Sequence, residues 1–211
     1  MNAPQKTTFV CADSLHWMRA RLIDEPGASV AVITSLPDAH ELDLSIDDWR
    51  RWFVAAASLC LRIANKLPCI FYQTDRKHDG AWISKGQITG DAAQALGMRL
   101  IWRKIALRRD VGKVDLFRPT YSEMLAFGVN SITSGETTPD VIAPAHVAWA
   151  YGMNIDAVKV AVNFVKRYTS RVIDPFCGCG TVAMVAEQCG LDAIGIDIDE
   201  ARTNELQTRL I

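Results

Sequence analysis

Residues 171–200, RVIDPFCGCGTVAMVAEQCGLDAIGIDIDE, constrain the fold more than any other stretch. They parse as a strand, a glycine turn, a helix, a second strand and an acidic end. In an open parallel sheet such a turn sits at the carboxyl end of a strand. There Gly178 and Gly180 let the backbone approach a ligand closely, and the helix starting at Thr181 offers free N–H groups. Asp197 follows Gly180 by 17 residues and ends the second strand, where a carboxylate can accept both hydroxyls of a ribose. Only 14 residues follow Asp197, room for one helix. A nucleoside-binding sheet needs further strands beside these two, and they must come from earlier in the chain. The expected fold is therefore α/β, a circularly permuted three-layer Rossmann-like domain spanning residues 1–211, with about seven mostly parallel strands.

The glycine turn lacks the third glycine of the dinucleotide fingerprint G-x-G-x-x-G, which disfavours a pyrophosphate ligand. Asp174, just ahead of the turn, would repel phosphate and suits a cationic ammonium, such as that of the methionine part of S-adenosylmethionine. The alternative makes Asp174-Pro175 a turn initiator and Asp197 and Asp199 a solvated helix start.

Along the rest of the chain, Val- and Ile-rich runs alternate with segments of helical period. Strands are expected near residues 8–11, 30–34, 69–72, 100–105, 123–127, 171–174 and 193–196. The clearest helix starts at Ser45 as its cap, with Asp48 completing a capping box and Pro68 stopping it. Trp49, Trp52, Phe53, Ala56, Leu59, Cys60 and Ile63 form its apolar face. Further helices are expected over 13–23, 90–96, 155–168, 181–189 and 199–210. Residues 130–144 are polar and non-periodic, and read as a loop.

At the N-terminal end, FVCADSLHWMRARLIDEPGASVAVITSLPDAHEL shows strand, acidic turn, helix, strand and a Pro-containing loop. With DPFCGCGT near the other end, this order resembles the permuted amino-methyltransferases typified by the beta group of DNA adenine-N6 and cytosine-N4 methyltransferases, and related RNA methyltransferases. The resemblance covers nearly the whole chain. Ala12-Asp13-Ser14-Leu15 matches the family's G-D-x-L, Trp102-Arg103-Lys104 its W-x-K strand, and residues 121–127 loosely its Y-E-x-x-L-x-F strand. It implies S-adenosylmethionine as cofactor and N-methylation as chemistry. Asp174, Phe176, Gly178, Gly180 and Thr181 would surround the methionine part with Thr34 beside them, Asp197 would hold the ribose, and Asp13 the adenine amino group. Asp13 also reads as a helix N-cap.

The departure lies in the substrate loop, which is Thr34-Ser35-Leu36-Pro37-Asp38 where the family has S-P-P-Y. The resemblance gives the polar residue and the following carbonyl the task of accepting the target amine's hydrogens, and the aromatic the task of stacking on a flipped base. Ser35 and the Leu36 carbonyl, with Pro37 beside them, suit the first task. Asp38 cannot stack. It reads either as a proton acceptor with His40 and Glu41 nearby, or as part of a solvated loop opening a helix. Trp82, Trp149, Tyr72 and Tyr121 are candidate stackers, each equally readable as ordinary core or half-buried surface.

The family's separate target-recognition region is replaced by about fifteen polar residues, too few to read a sequence through a DNA groove. Recognition would then rest on shape, a partner, or the basic stretch Arg103, Lys104, Arg108, Arg109, Lys113 and Arg118. That points to nucleic acid as partner, RNA favoured over DNA, with a protein partner or homo-oligomer also open. Lys and Arg total 23 against 24 Asp and Glu, so no global positive field supports this, and any polyanion must meet a patch. The six cysteines lack paired spacing, which fits reduced thiols in a cytoplasmic protein, and the histidines lack ligand spacing with them, so no metal is expected. No run suits a membrane span. Two alternatives remain: the same fold acting on a small molecule or a protein, and a non-catalytic methyltransferase-like subunit.

Overall fold

The computed structural model describes residues 6–116, 118–135, 138–145 and 152–208. Its main sheet takes strands from both ends of the chain. In chain order they are β1 (Thr7–Cys11), β2 (Ala31–Thr34), β3 (Cys69–Gln73), the hairpin pair β4 (Arg76–His78) and β5 (Ala81–Ile83), β6 (Arg99–Leu107), β7 (Tyr121–Gly128), β8 (Val141–Ile142), β9 (Arg171–Asp174) and β10 (Asp192–Asp197). Eight of them form one sheet in the order β1-β10-β9-β2-β3-β7-β6-β8, while β4 and β5 pair separately. From β1 to β3 all pairings are parallel, and β7 runs antiparallel to both β3 and β6. The first and last strands of the chain are thus hydrogen-bonded neighbours, with Cys11 opposite Asp197. Five parallel strands end on one edge, at Cys11, Asp197, Asp174, Thr34 and Gln73, the edge where open α/β sheets bind ligands.

Helices α1 (Ser14–Asp24), α2 (Ile46–Ala64), α3 (Lys85–Ala95), α4 (Ile155–Val165), α5 (Thr181–Gln188) and α6 (Glu200–Thr208) complete the layers. Strand pleat divides the apolar residues into two cores. Met18, Trp49, Phe53, Ala92, Phe71 and Phe127 pack α1, α2 and α3 on one face. Val158, Val162, Phe164, Val182, Ile70 and Ala126 pack α4 and α5 on the other. Trp49 and Phe53 are almost wholly buried, each adding on the order of 2 kcal/mol of apolar burial.

All seven expected strands are present. Residues 130–144 hold a short strand after all, because Val141 and Ile142 pair in parallel with Ile105 and Ala106. The third helix starts at Lys85, not residue 90, since Ser84 caps it by accepting the Gln87 N–H at 3.2 Å. The helix over α2 ends at Ala64, turned off by Asn65 at φ 51° before Pro68 is reached. At its start Ser45 Oγ accepts the Asp48 N–H at 3.2 Å and donates to the Asp48 carboxylate at 2.6 Å, so Asp48 binds the capping hydroxyl. The α4 segment is helical to Val165, three residues short of the expected end. Among the described residues no helix is long and apolar enough to cross a membrane.

Candidate functional site

Asp174 closes β9 beneath the glycine turn and is 1% exposed. Its Oδ1 accepts two hydrogen bonds, from Thr34 Oγ1 at 2.7 Å and from the Phe176 N–H at 3.2 Å. Its Oδ2 is buried with no partner among the described residues. Burial pushes this carboxyl up to about 7, against the two hydrogen bonds, and the Asp197 charge adds to the rise. An ionised, half-satisfied carboxylate in a dry site is what a cationic amine would relieve.

The turn continues this opening. Gly178 sits at φ 50°, and a side chain added there would meet nothing within 4 Å, so the backbone borders open space. Its N–H donates to Asp197 Oδ2 at 2.9 Å. Gly180, at φ 77°, caps α5 where a Cβ would press on Leu206 and Phe9, and buried Thr181 begins the helix. Asp197 Oδ1 accepts the Asp199 N–H at 3.0 Å, and Arg202 reaches the carboxylate at 3.4 Å. Each Asp197 oxygen thus has one backbone donor that fixes its direction. Phe176 stacks edge-on against Trp52 of α2, ring centroids 5.5 Å apart.

The N-terminal strand and helix close around this turn. The Ala12 N–H donates to the Asp197 carbonyl at 3.0 Å, and Ser14 Oγ donates to the Pro175 carbonyl. Asp13, between them, caps α1 by accepting the His16 N–H at 2.7 Å. The cap reading of Asp13 is therefore realised at a position next to the Asp197 strand end.

The loop after β2 is joined to the glycine turn through the Thr34–Asp174 bond. Ser35 Oγ and the Leu36 carbonyl have no hydrogen-bond partner among the described residues, whereas the Leu36 side chain is buried. The Pro37 carbonyl accepts the Trp49 indole N–H at 3.0 Å, which pins the loop to α2. Asp38 is the end of an ion network that the sequence did not reveal. One oxygen accepts Arg76 Nε at 2.6 Å, and the other accepts the Lys85 ammonium. Lys85 is 4% exposed and lies over the Trp49 ring at 5.8 Å. Asp38, with both oxygens on cations, ties the loop to β4 and to the start of α3. Glu41 is similarly engaged, accepting the Asp38 N–H at 2.6 Å, and His40 touches Arg76. The ligand atoms of Asp38, His40 and Glu41 lie within 4.8 Å of one another, and Arg76 contacts both Asp38 and His40.

None of the candidate stackers is placed beside Asp38 by a described contact. Tyr72 packs in the core of the opposite face, Trp82 lies half-exposed on the β4–β5 hairpin under Lys77, and Tyr121 starts β7. Trp149 falls outside the described residues. The basic stretch does not act as one surface. Lys104 is buried and spent on the Thr138 and Pro139 carbonyls and Asp140, Arg103 faces Glu123, and Arg109 pairs with Asp115. A further polar group went unnoticed in the sequence. Gln73, at the end of β3, is 3% exposed with both amide atoms unpartnered among the described residues.

Residues 149–208 match the family model for DNA methylases. No curated protein matches the chain. Among solved structures, the cytosine-N4-specific PvuII DNA methyltransferase aligns with a TM-score of 0.74 at 13% identity, covering all of this chain and 90% of that one. TTHA0409 of Thermus thermophilus, assigned to the DNA modification methylases, aligns at 0.72 and 14% identity over 96% of this chain and 93% of its own. A complex of M1.HpyAVI with its cofactor SAM gives 0.67 and 11% over 96% and 98%. At these identities the likeness establishes the fold.

Proposed function

We propose that this chain, which has the fold of the S-adenosylmethionine-dependent amino-methyltransferases and matches the DNA methylase family over residues 149–208, methylates an amino nitrogen of a nucleic-acid base. The observation that carries the reading is the 2.7 Å bond from Thr34 to Asp174. It fastens the substrate loop to the cofactor turn, so that a donor and an acceptor held by each would meet at the carboxyl edge of the sheet. The chain would do this as one domain in permuted order, the cofactor turn late and the substrate loop early.

The residues present fit the cofactor. Asp174 Oδ2 is a buried oxygen that lacks a donor among the described residues, and the methionine ammonium would supply one. Gly178 leaves space beside it, Asp197 keeps lone pairs for ribose hydroxyls, and Asp13 and Phe176 border the remainder of the nucleoside. When bound, S-adenosylmethionine supplies a methyl group already activated on a sulfonium, so no metal is needed. The chain's own work is alignment and exclusion of water. Ser35 Oγ and the Leu36 carbonyl, both without partners among the described residues, would accept the two amine hydrogens and direct the nitrogen lone pair toward the methyl.

DNA is the better-supported polymer: the matched family and the structural neighbours are named for DNA, and the preference for RNA expected from the sequence has no support among them. One observation favours a second reading, a small substrate in the same fold: Asp38 stands ion-paired where the resemblance puts a base-stacking aromatic. Methyl-labelled cofactor, incubated with the protein and with separated DNA, RNA and small-molecule fractions, tests both. Label is expected in DNA. Label confined to small molecules would establish the second reading, and cofactor binding without transfer to any fraction would sink both.

A further inference from the structure

A cleft of 360 Å³ opens between the substrate loop and the β4–β5 hairpin. Arg76, Lys77, His78, Arg118 and His40 line it, over an apolar floor that includes Trp49. Three of these side chains carry fixed positive charge. Among the described residues that line the wall the one carboxylate is Asp38, which buried Lys85 matches from behind, and exposed Asp79 at the hairpin turn stands 3.5 Å from His78. The chain as a whole has a net charge of −1, so this concentration of cations is local. In the neighbouring loop the Arg108 guanidinium is pushed below its ordinary range, by burial first and by the charge of Arg118 next. Cations gathered in a cleft with low-dielectric walls focus a field that attracts anions.

The hairpin register separates two roles. Arg76 lies opposite Ile83 and His78 opposite Ala81, so these share one face of the ribbon, while Lys77 lies opposite Trp82 on the other. Arg76 is fixed in direction by Asp38 at its Nε and by His40 at its Nη2. A guanidinium so held offers its remaining donors as a rigid fork, the geometry suited to phosphate oxygens. Asp38 thereby acquires a purpose consistent with its place. It cannot stack on a base, but it fixes the direction of an arginine that lines the cleft.

We infer that this cleft is a phosphate subsite, which takes a backbone phosphodiester flanking the acceptor nucleotide through Arg76, His78 and Arg118, with Asp38 as the positioning residue for Arg76. The inference rests on the nucleic-acid reading and supplies what the short 130–144 segment cannot, a grip on the substrate that is independent of base sequence.

Arg118→Gln is the cleanest probe, since Arg118 belongs to neither the cofactor turn nor the substrate loop. Fluorescence anisotropy with a labelled 12-base-pair duplex between 50 and 200 mM KCl should show several-fold weaker binding at low salt. It should also show a salt slope reduced by about one, the signature of one lost phosphate contact. Lys159→Gln on α4, on the opposite face of the sheet, should change neither. Calorimetry with S-adenosylmethionine should return the parent affinity for Arg118→Gln, and half-exposed His78→Gln repeats the test should that variant fold poorly. The same measurement with a 5′-mononucleotide against its nucleoside separates the phosphate sources. Sensitivity of the duplex alone supports the phosphodiester, and equal sensitivity of the mononucleotide moves the subsite to a terminal phosphate and overturns the backbone assignment. Unchanged affinity and slope in both variants would overturn the subsite itself, whether or not DNA is methylated. Arg118-dependent binding without methyl transfer would instead remove the catalytic reading and leave the subsite standing.

Discussion

Asp174 is the residue whose chemistry and stability pull in opposite directions. Its carboxyl is buried, raised to about 7, and holds one oxygen without a donor among the described residues. In the unfolded chain the group returns to its ordinary value of 3.8, so between those two values the folded state binds a proton that the unfolded state releases. The sign follows: this group's contribution to stability is full at low pH and is lost as pH rises through about 7. Asn at this position carries no ionisation and keeps an oxygen for the Thr34 and Phe176 donors. Asp174→Asn is therefore expected to gain stability over the parent as pH goes from 5 to 8, by on the order of 2 kcal/mol, read by thermal unfolding at both values. The same variant should bind S-adenosylmethionine at least tenfold more weakly, because the ammonium loses its counter-charge. A stability difference that does not change with pH would mean that the buried carboxyl does not titrate near neutrality.

Between elements, the ion network joins the substrate loop, β4 and the start of α3, and its two sides are not equivalent. Lys85 is buried, with Asp38 as its carboxylate partner, whereas Asp38 has Arg76 as a second cation. Removing Asp38 strands an ammonium in the interior. Removing Lys85 leaves a carboxylate that is still paired. Asp38→Ala should therefore cost about 3 kcal/mol and Lys85→Met clearly less, as measured by urea unfolding, with the double variant recovering part of the loss. Equal costs would contradict this asymmetry. The network also marks the limit of what the sequence disclosed. Strands β2, β9 and β10 were readable because runs such as AVIT and RVID are short, apolar and bounded by turn formers. The hairpin was not, since RKH and AWI are three residues each and RKH has no apolar alternation. Strand β8 is two residues, paired with β6 and anchored by Ile142 in the core. Asp38 and Lys85 are 47 residues apart, and nothing local to either announces the other. The glycine turn, by contrast, was legible because its glycines act through backbone geometry confined to one contiguous segment.

At the scale of the molecule, the site is assembled from two ends of the chain that meet in the sheet and in the loops and helices at its carboxyl edge. Strand β1 lies against β10 along its whole length, Ser14 reaches Pro175, and Thr34 reaches Asp174. The far edge, β7, β6 and β8, shares the core but contributes no residue to the cofactor turn. A ligand seated on Asp174, Gly178 and Asp197 therefore stabilises contacts between segments more than 100 residues apart in sequence, |i−j| being 140 for Thr34 and Asp174 and 161 for Ser14 and Pro175. Binding free energy is returned as protection against opening, and only for motions that break the bound arrangement. Hydrogen exchange with and without S-adenosylmethionine should consequently show slowed exchange at the Ala12 and Gly178 amides and along β1, β9 and β10. The β6–β8 edge should exchange at nearly its former rate. Protection confined to the C-terminal strands, with β1 unaffected, would mean that the N-terminal end is packed beside the cofactor without being coupled to it, and Asp13 would then be a helix cap and nothing more.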